Sequence, residues 1–167
     1  MAVPVVSVGD VLTASFVNTW LLPLAVTKPT SESLASSTAL QNDDHLVLAV
    51  AASATYEFTC QVFFIAAASP GDIKWTWSVP AGAAITYQNL HNEGGGTGVG
   101  NSALAYGDTD TPFAAGGGSP TEAMRMTGTL TVAGTAGNVQ LRWAQNTSSG
   151  TATQVRANSQ LILRRIG

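Results

Sequence analysis

The sequence predicts an all-β chain folded as an antiparallel sandwich or barrel. Three observations predict it. Apolar and polar residues alternate with period two in one segment after another from His45 onward. Turn-forming residues separate the segments, and no long amphipathic helix interrupts them. The length of 167 residues fits one domain with a short extension. It suffices to bury a core without metal or disulfide staples.

The extension comes first. MAVPVV (Met1 to Val6) reads as extended chain. In SVGDVLTASFVNTWLL, Gly9-Asp10 supplies a turn and Thr13 an N-cap for a helix of about two turns. Phe16, Val17, Trp20 and Leu21 fall on one side of that helix. So short a helix does not stand alone, so this side docks either on its own domain or in a larger assembly. TKPTSESLASSTALQNDD is polar, an extended linker and turn. The boundaries are an attachment arm over 1–27 and a β-domain over 28–167.

HLVLAV (His45 to Val50) is the first strand of the periodic region. In ATYEFTCQVFFIA, Tyr56, Phe58, Cys60 and Val62 share a face, and Phe63, Phe64 and Ile65 then place apolar groups on both faces. GDIKWTWSV sets Ile73, Trp75, Trp77 and Val79 against Asp72, Lys74, Thr76 and Ser78, which makes the two tryptophans core rather than a sugar-stacking platform. AITYQ follows the turn PAGA. AMRMTGTLTV aligns Met124, Met126, Leu130 and Val132, and NVQLRWAQN aligns Val139, Leu141 and Trp143. SQLILRRI ends the chain, and the closing stretch from Val139 reads as two strands around a polar turn. Leu161, Ile162 and Leu163 are consecutive, so this last strand is apolar on both faces. Between His91 and Glu122 lies a glycine-rich stretch with one short strand at SALAY; its length and glycine content suit an adaptable surface loop.

Composition excludes several function classes. Net charge is −3, and seven residues are Lys or Arg, too few for the basic stripe that nucleic acid requires or for a polybasic membrane patch. FVNTWLLPLAV is too short to span a bilayer. Charged residues make up 10%, where about 25% is usual. That suits either a surface covered by partners or a soluble β protein coated with Thr and Ser. Cys60 is the only cysteine and reads as a buried, inert thiol.

Motifs for chemistry are absent or weak. GGGTGVG lacks the Lys-Ser/Thr end of a phosphate loop. Asp108 and Asp110 read as a solvated turn rather than a Ca²⁺ site, and Asp43-Asp44 as the polar end of a turn. His45 and His91 have no zinc-ligand spacing. Asn146-Thr147-Ser148 reads as a polar turn. No cofactor, metal site or catalytic residue is expected, and no enzyme.

Three stretches carry a resemblance: VGDVLTASFVNTW (Val8 to Trp20), KPTSESLASSTALQNDDHL (Lys28 to Leu46) and LRWAQNTSSGTATQVRANSQLILRRI (Leu141 to Ile166). With GDIKWTWSVPAGA (Gly71 to Ala83), they resemble virion structural proteins of tailed bacteriophages, particularly those of actinobacteria. The resemblance covers most of the chain outside the glycine-rich loop. It implies a jelly-roll β-sandwich, similar to the tumour-necrosis-factor-like fold, assembled as a homotrimer. In such trimers one face of a doubly apolar strand meets the neighbour. Phe63, Ile65 and Ile162 are expected at that subunit interface, and Phe64, Leu161 and Leu163 in the core. The expected role is a capsid decoration protein on the virion surface. Its arm (Val11, Leu12, Phe16, Val17, Trp20, Leu21) binds the major capsid protein. The alternative is a tail fibre or baseplate module that recognises host-surface glycan.

Overall fold

The computed structural model describes residues 4–66, 73–92, 99–105 and 121–167. Strands β1 (Leu24–Thr27), β2 (Glu32–Leu34), β3 (Gln41–Val50), β4 (Ala54–Ile65), β5 (Ile73–Ser78) and β6 (Ala84–Asn92) come first. β7 (Val99–Ala105), β8 (Glu122–Val132), β9 (Gly137–Gln145), β10 (Thr153–Val155) and β11 (Gln160–Arg165) follow. They form two antiparallel sheets, as the alternation predicts. One runs β1-β11-β4-β8-β6-β7, with β10 and β2 joined beside β4; the other is β3-β9-β5. β4 is the spine of the larger sheet. β8 pairs with it from Ala54 to Phe64. On its other edge β11 covers Tyr56 to Gln61 and β10 covers Phe64 and Ile65.

The inner faces of both sheets share one core, which holds Trp75, Trp77 and Trp143, as the period-two reading requires. Its centre depends on a missing side chain. Gly128 of β8 lies in register between Phe58 of β4 and Tyr87 of β6. The rings of Phe58 and Tyr87 meet above it, with centroids 6.2 Å apart. Trp77 closes the cluster from the opposite sheet, 5.4 Å from Phe58 and 6.4 Å from Tyr87, all edge to face, the arrangement aromatic quadrupoles favour.

Turn chemistry fixes the strand ends. In PAGA, the Ala83 N–H donates to the Pro80 carbonyl at 3.0 Å and Gly82 takes φ +75°. A positive-φ glycine at the third of the four turn positions is the type II preference.

The closing stretch departs from the two-strand reading. β9 belongs to the smaller sheet and β11 to the larger, so residues 146–159 cross the sandwich, carrying β10 with them. A hairpin closes with roughly two to five residues; this connection is far longer. Residues 28–40, expected as a plain linker, cross the other way and contain β2. The two crossovers run side by side, with Thr153, Gln154 and Val155 paired to Leu34, Ser33 and Glu32.

At the N-terminus, Gly9 (φ +98°) turns the chain, and Ser7 and Asp10 exchange hydrogen bonds across the turn. Thr13 caps the helix, its Oγ1 accepting from the Phe16 N–H at 3.1 Å. Helix α1 (Ala14–Phe16) continues as a π-turn over Val17–Leu21. The extra residue in that turn carries Leu21 off the side shared by Phe16, Val17 and Trp20. Those three are half-buried and Leu21 is exposed. β1, the last four residues of the 1–27 segment, pairs with β11.

Candidate functional site

Unpartnered apolar surface is concentrated in the arm. Among the described residues, every exposed large apolar side chain apart from Leu90 and Ile166 lies between Val5 and Leu24. Val5 and Val11 are 88% and 86% exposed, and Val8 is wholly so; Leu12, Leu21 and Leu22 are about half exposed. Asp10 is the one charged side chain in residues 1–27. Of the six expected arm residues, Val11, Leu12 and Leu21 face solvent. Phe16, Val17 and Trp20 are half-buried, and Trp20 lies under the Arg165 guanidinium, 4.5 Å from ring centroid to Cζ. One helix side therefore rests on its own domain, and the apolar residues around it are left free.

Phe64, Leu161 and Leu163 are buried in the core. Phe63, Ile65 and Ile162 point to the outer face of the larger sheet and are half-buried. Around them the register lays out a mostly polar face, with Arg125, Glu57 and Arg164 as the charges among its described residues. One row runs Ala25, Ile162, Thr59, Thr127, Gln88 and the next Arg164, Glu57, Thr129, Thr86. Arg164 and Glu57 are paired to each other.

A third feature was missed by sequence reasoning. Asp43, expected on a solvated turn, is fully buried, as is Lys28. The three ammonium protons of Lys28 are taken by Asp43 Oδ1, Asp43 Oδ2 and Glu32 Oε2, each at 2.9 Å. β3 shifts register between Asn42 and Val47, and this group satisfies the backbone so freed. Asp43 Oδ1 accepts from the His45 and Leu46 N–H groups, Glu32 Oε2 from that of Asp44, and Gln140 Nε2 donates to the Asp43 carbonyl. Gln41 Nε2 donates to Glu32 Oε1. The only sequence-level signal was the spacing of Lys28, Glu32, Gln41 and Asp43 inside one recognisable stretch.

The other crossover is held in the same manner. Buried Gln145 accepts from the Ser37 and Ser149 N–H groups and donates to the Thr151 carbonyl. Lys28 N–H donates to the Ser159 carbonyl, and the Lys28 carbonyl accepts from Asn158. The stretches 28–46 and 141–166, which carry the resemblance, therefore stitch to each other. Their polar residues work on the fold.

Among the described residues, no three His, Cys, Asp or Glu side chains gather as a metal-holding group. Burial, with a smaller contribution from the Asp43 charge, pushes the Cys60 thiol far above its ordinary range. It is thereby kept protonated and unreactive. Trp75 and Trp77 are buried and present no platform to a sugar. The glycine-rich segments, with Asp108 and Asp110, lie outside the described residues.

No family model matches the chain, and no curated protein does. Among solved structures it is similar to the tripod (BppUct-A-L) from the baseplate of bacteriophage Tuc2009. That match is 10% identical over 96% of this chain and 73% of the other, with a TM-score of 0.38. It is also similar to a chain of infectious bursal disease virus, Gt strain. There identity is 13% over 86% of this chain and 40% of the other, with a TM-score of 0.22.

Proposed function

We propose that this chain is a structural component of a tailed-phage virion, a non-catalytic module joined to the particle through its N-terminal arm. The observation that carries it is the arm itself: a nearly uncharged segment with free apolar side chains, beside a domain in which Leu90 and Ile166 are the exposed large apolar side chains among the described residues. Exposed apolar surface gathered in one place marks an interaction site. Burying one such Val or Leu contributes about 1.5–3 kcal/mol. The resemblance of residues 8–20, 28–46 and 141–166 to phage virion proteins supplies the class of particle.

The jelly-roll form expected from that resemblance is part of the proposal, resting on a chain that passes between the two sheets at successive connections. So is a homotrimer, in which Phe63, Ile65 and Ile162 meet the neighbouring copy. They are apolar, half-buried and on the outer face. Three linked arms gain avidity without new contacts.

Two placements follow. In the tail, the chain is a baseplate or fibre module that recognises host-surface glycan. On the head, it decorates the shell, with the major capsid protein as partner. A chain lacking residues 1–22, which keeps β1, tests the arm. It should fold and fail to associate with particles that lack the protein; retained association would overturn the attachment role.

A further inference from the structure

β1 is an open edge of the larger sheet. Lys28 turns both its N–H and its C=O toward residues 158–159. Alternation along the strand then aims the main-chain groups of Ala25 and Thr27 away from β11. Both residues are exposed. An edge of this kind ordinarily carries charge, proline or a bulge against pairing with other chains. Leu24, Ala25, Val26 and Thr27 carry none of these.

Beside this edge lies a groove of about 250 Å³, lined by Leu22, Leu24, Ala49, Ala51, Tyr56 and Leu163 among others. The charged residue in its lining is Arg165, whose guanidinium is already placed over Trp20. Asn18 and Thr19 add uncharged polar groups to the lining, so an occupant that brings main-chain groups to the edge and uncharged side chains to the groove fits both.

The chain itself contains such a segment. Residues 4–7 form no helix or strand and carry no charge, and Val5 and Val6 are exposed. The Ser7–Asp10 turn closes this segment off from the helix that follows.

We infer that the segment Pro4–Val6 of one copy adds to the β1 edge of a second copy and seats Val5 or Val6 in the groove beside it. It pairs through the Pro4 C=O and the Val6 N–H and C=O, the Ser7 groups being held by Asp10. Donor and acceptor are different surfaces, so the contact is heterologous, and the proposed closed homo-oligomer requires it to repeat around a ring. This rests on the proposed homo-oligomer and names a contact separate from Phe63, Ile65 and Ile162. Leu12, Leu21 and the rest of the arm stay available to the particle.

The test is the mass of the full-length chain in solution, by light scattering, for the wild type and three variants. Ala25→Pro removes an outward N–H that β11 does not use. Val5→Asp/Val6→Asp charges the donor without touching the domain. Ile162→Asp disrupts the other proposed interface. Ala25→Pro and the double aspartate variant should each lower the mass to that of a monomer, with wild-type circular dichroism. If both retain the wild-type mass and Ile162→Asp dissociates the assembly, strand addition is overturned and the outer-face interface stands. A monomeric wild type overturns both.

Discussion

The ammonium of Lys28 sits 2.9 Å from both carboxylate oxygens of Asp43, and neither side chain is exposed at all. Lys28 follows β1 in the larger sheet and Asp43 lies at the bulge of β3 in the smaller one, so the pair ties the sheets at the crossover. Replacing Lys28 with Met should destabilise the domain by about 3–5 kcal/mol, because it strands a buried carboxylate. Adding Asp43→Asn should recover part of that loss, since the amide oxygen still accepts from His45 and Leu46. Urea denaturation of the two variants measures the difference.

Gly128→Ala should destabilise the core. The added Cβ would collide with the Thr86 carbonyl oxygen and approach Tyr87 Cα to 2.7 Å, and both are main-chain atoms of the adjoining strand. A loss of about 1–3 kcal/mol, the usual cost of overpacking, should appear as a lower melting temperature. Near-ultraviolet circular dichroism should report disturbance of Phe58, Trp77 and Tyr87.

Much of this core was legible in the sequence. Ile73, Trp75 and Trp77 alternate against polar neighbours, and Met124, Met126, Leu130 and Val132 do the same, because each strand has one buried face. The strands β1, β2 and β10 were not legible. They are three or four residues long and lie in or next to polar crossover runs, where period two has no length in which to show. The burial of Asp43 was hidden for a different reason. A carboxylate looks solvated until the lysine that neutralises it, fifteen positions earlier, is known to share its pocket.

Cys60 should be inert in the native chain. A thiol reagent should label it only on unfolding, and fast labelling of the folded protein would show the site to be open. The raised thiol pKa also sets a sign. The folded thiol keeps its proton when the unfolded one, near 8.5, has lost it. Stability is therefore fully present below that value and declines as pH rises above it. Cys60→Ala should flatten this alkaline decline in denaturation midpoints.

Thr13→Ala should affect the arm alone. Loss of the cap on Phe16 costs about 0.5–2 kcal/mol of helix stability, and α1 rests on the domain only through its half-buried side. Amide exchange should quicken between Ala14 and Leu22 while β4 and β8 keep their protection. Equal acceleration in those strands would mean that the arm is part of the cooperative core.

Cryo-electron microscopy of the intact virion addresses the central claim most directly. Density for this chain is expected on the particle, at the tail or on the shell, with Val11, Leu12 and Leu21 buried against a neighbouring protein. Particles that lack the chain, or an arm left in solvent while another surface makes the attachment, would contradict it.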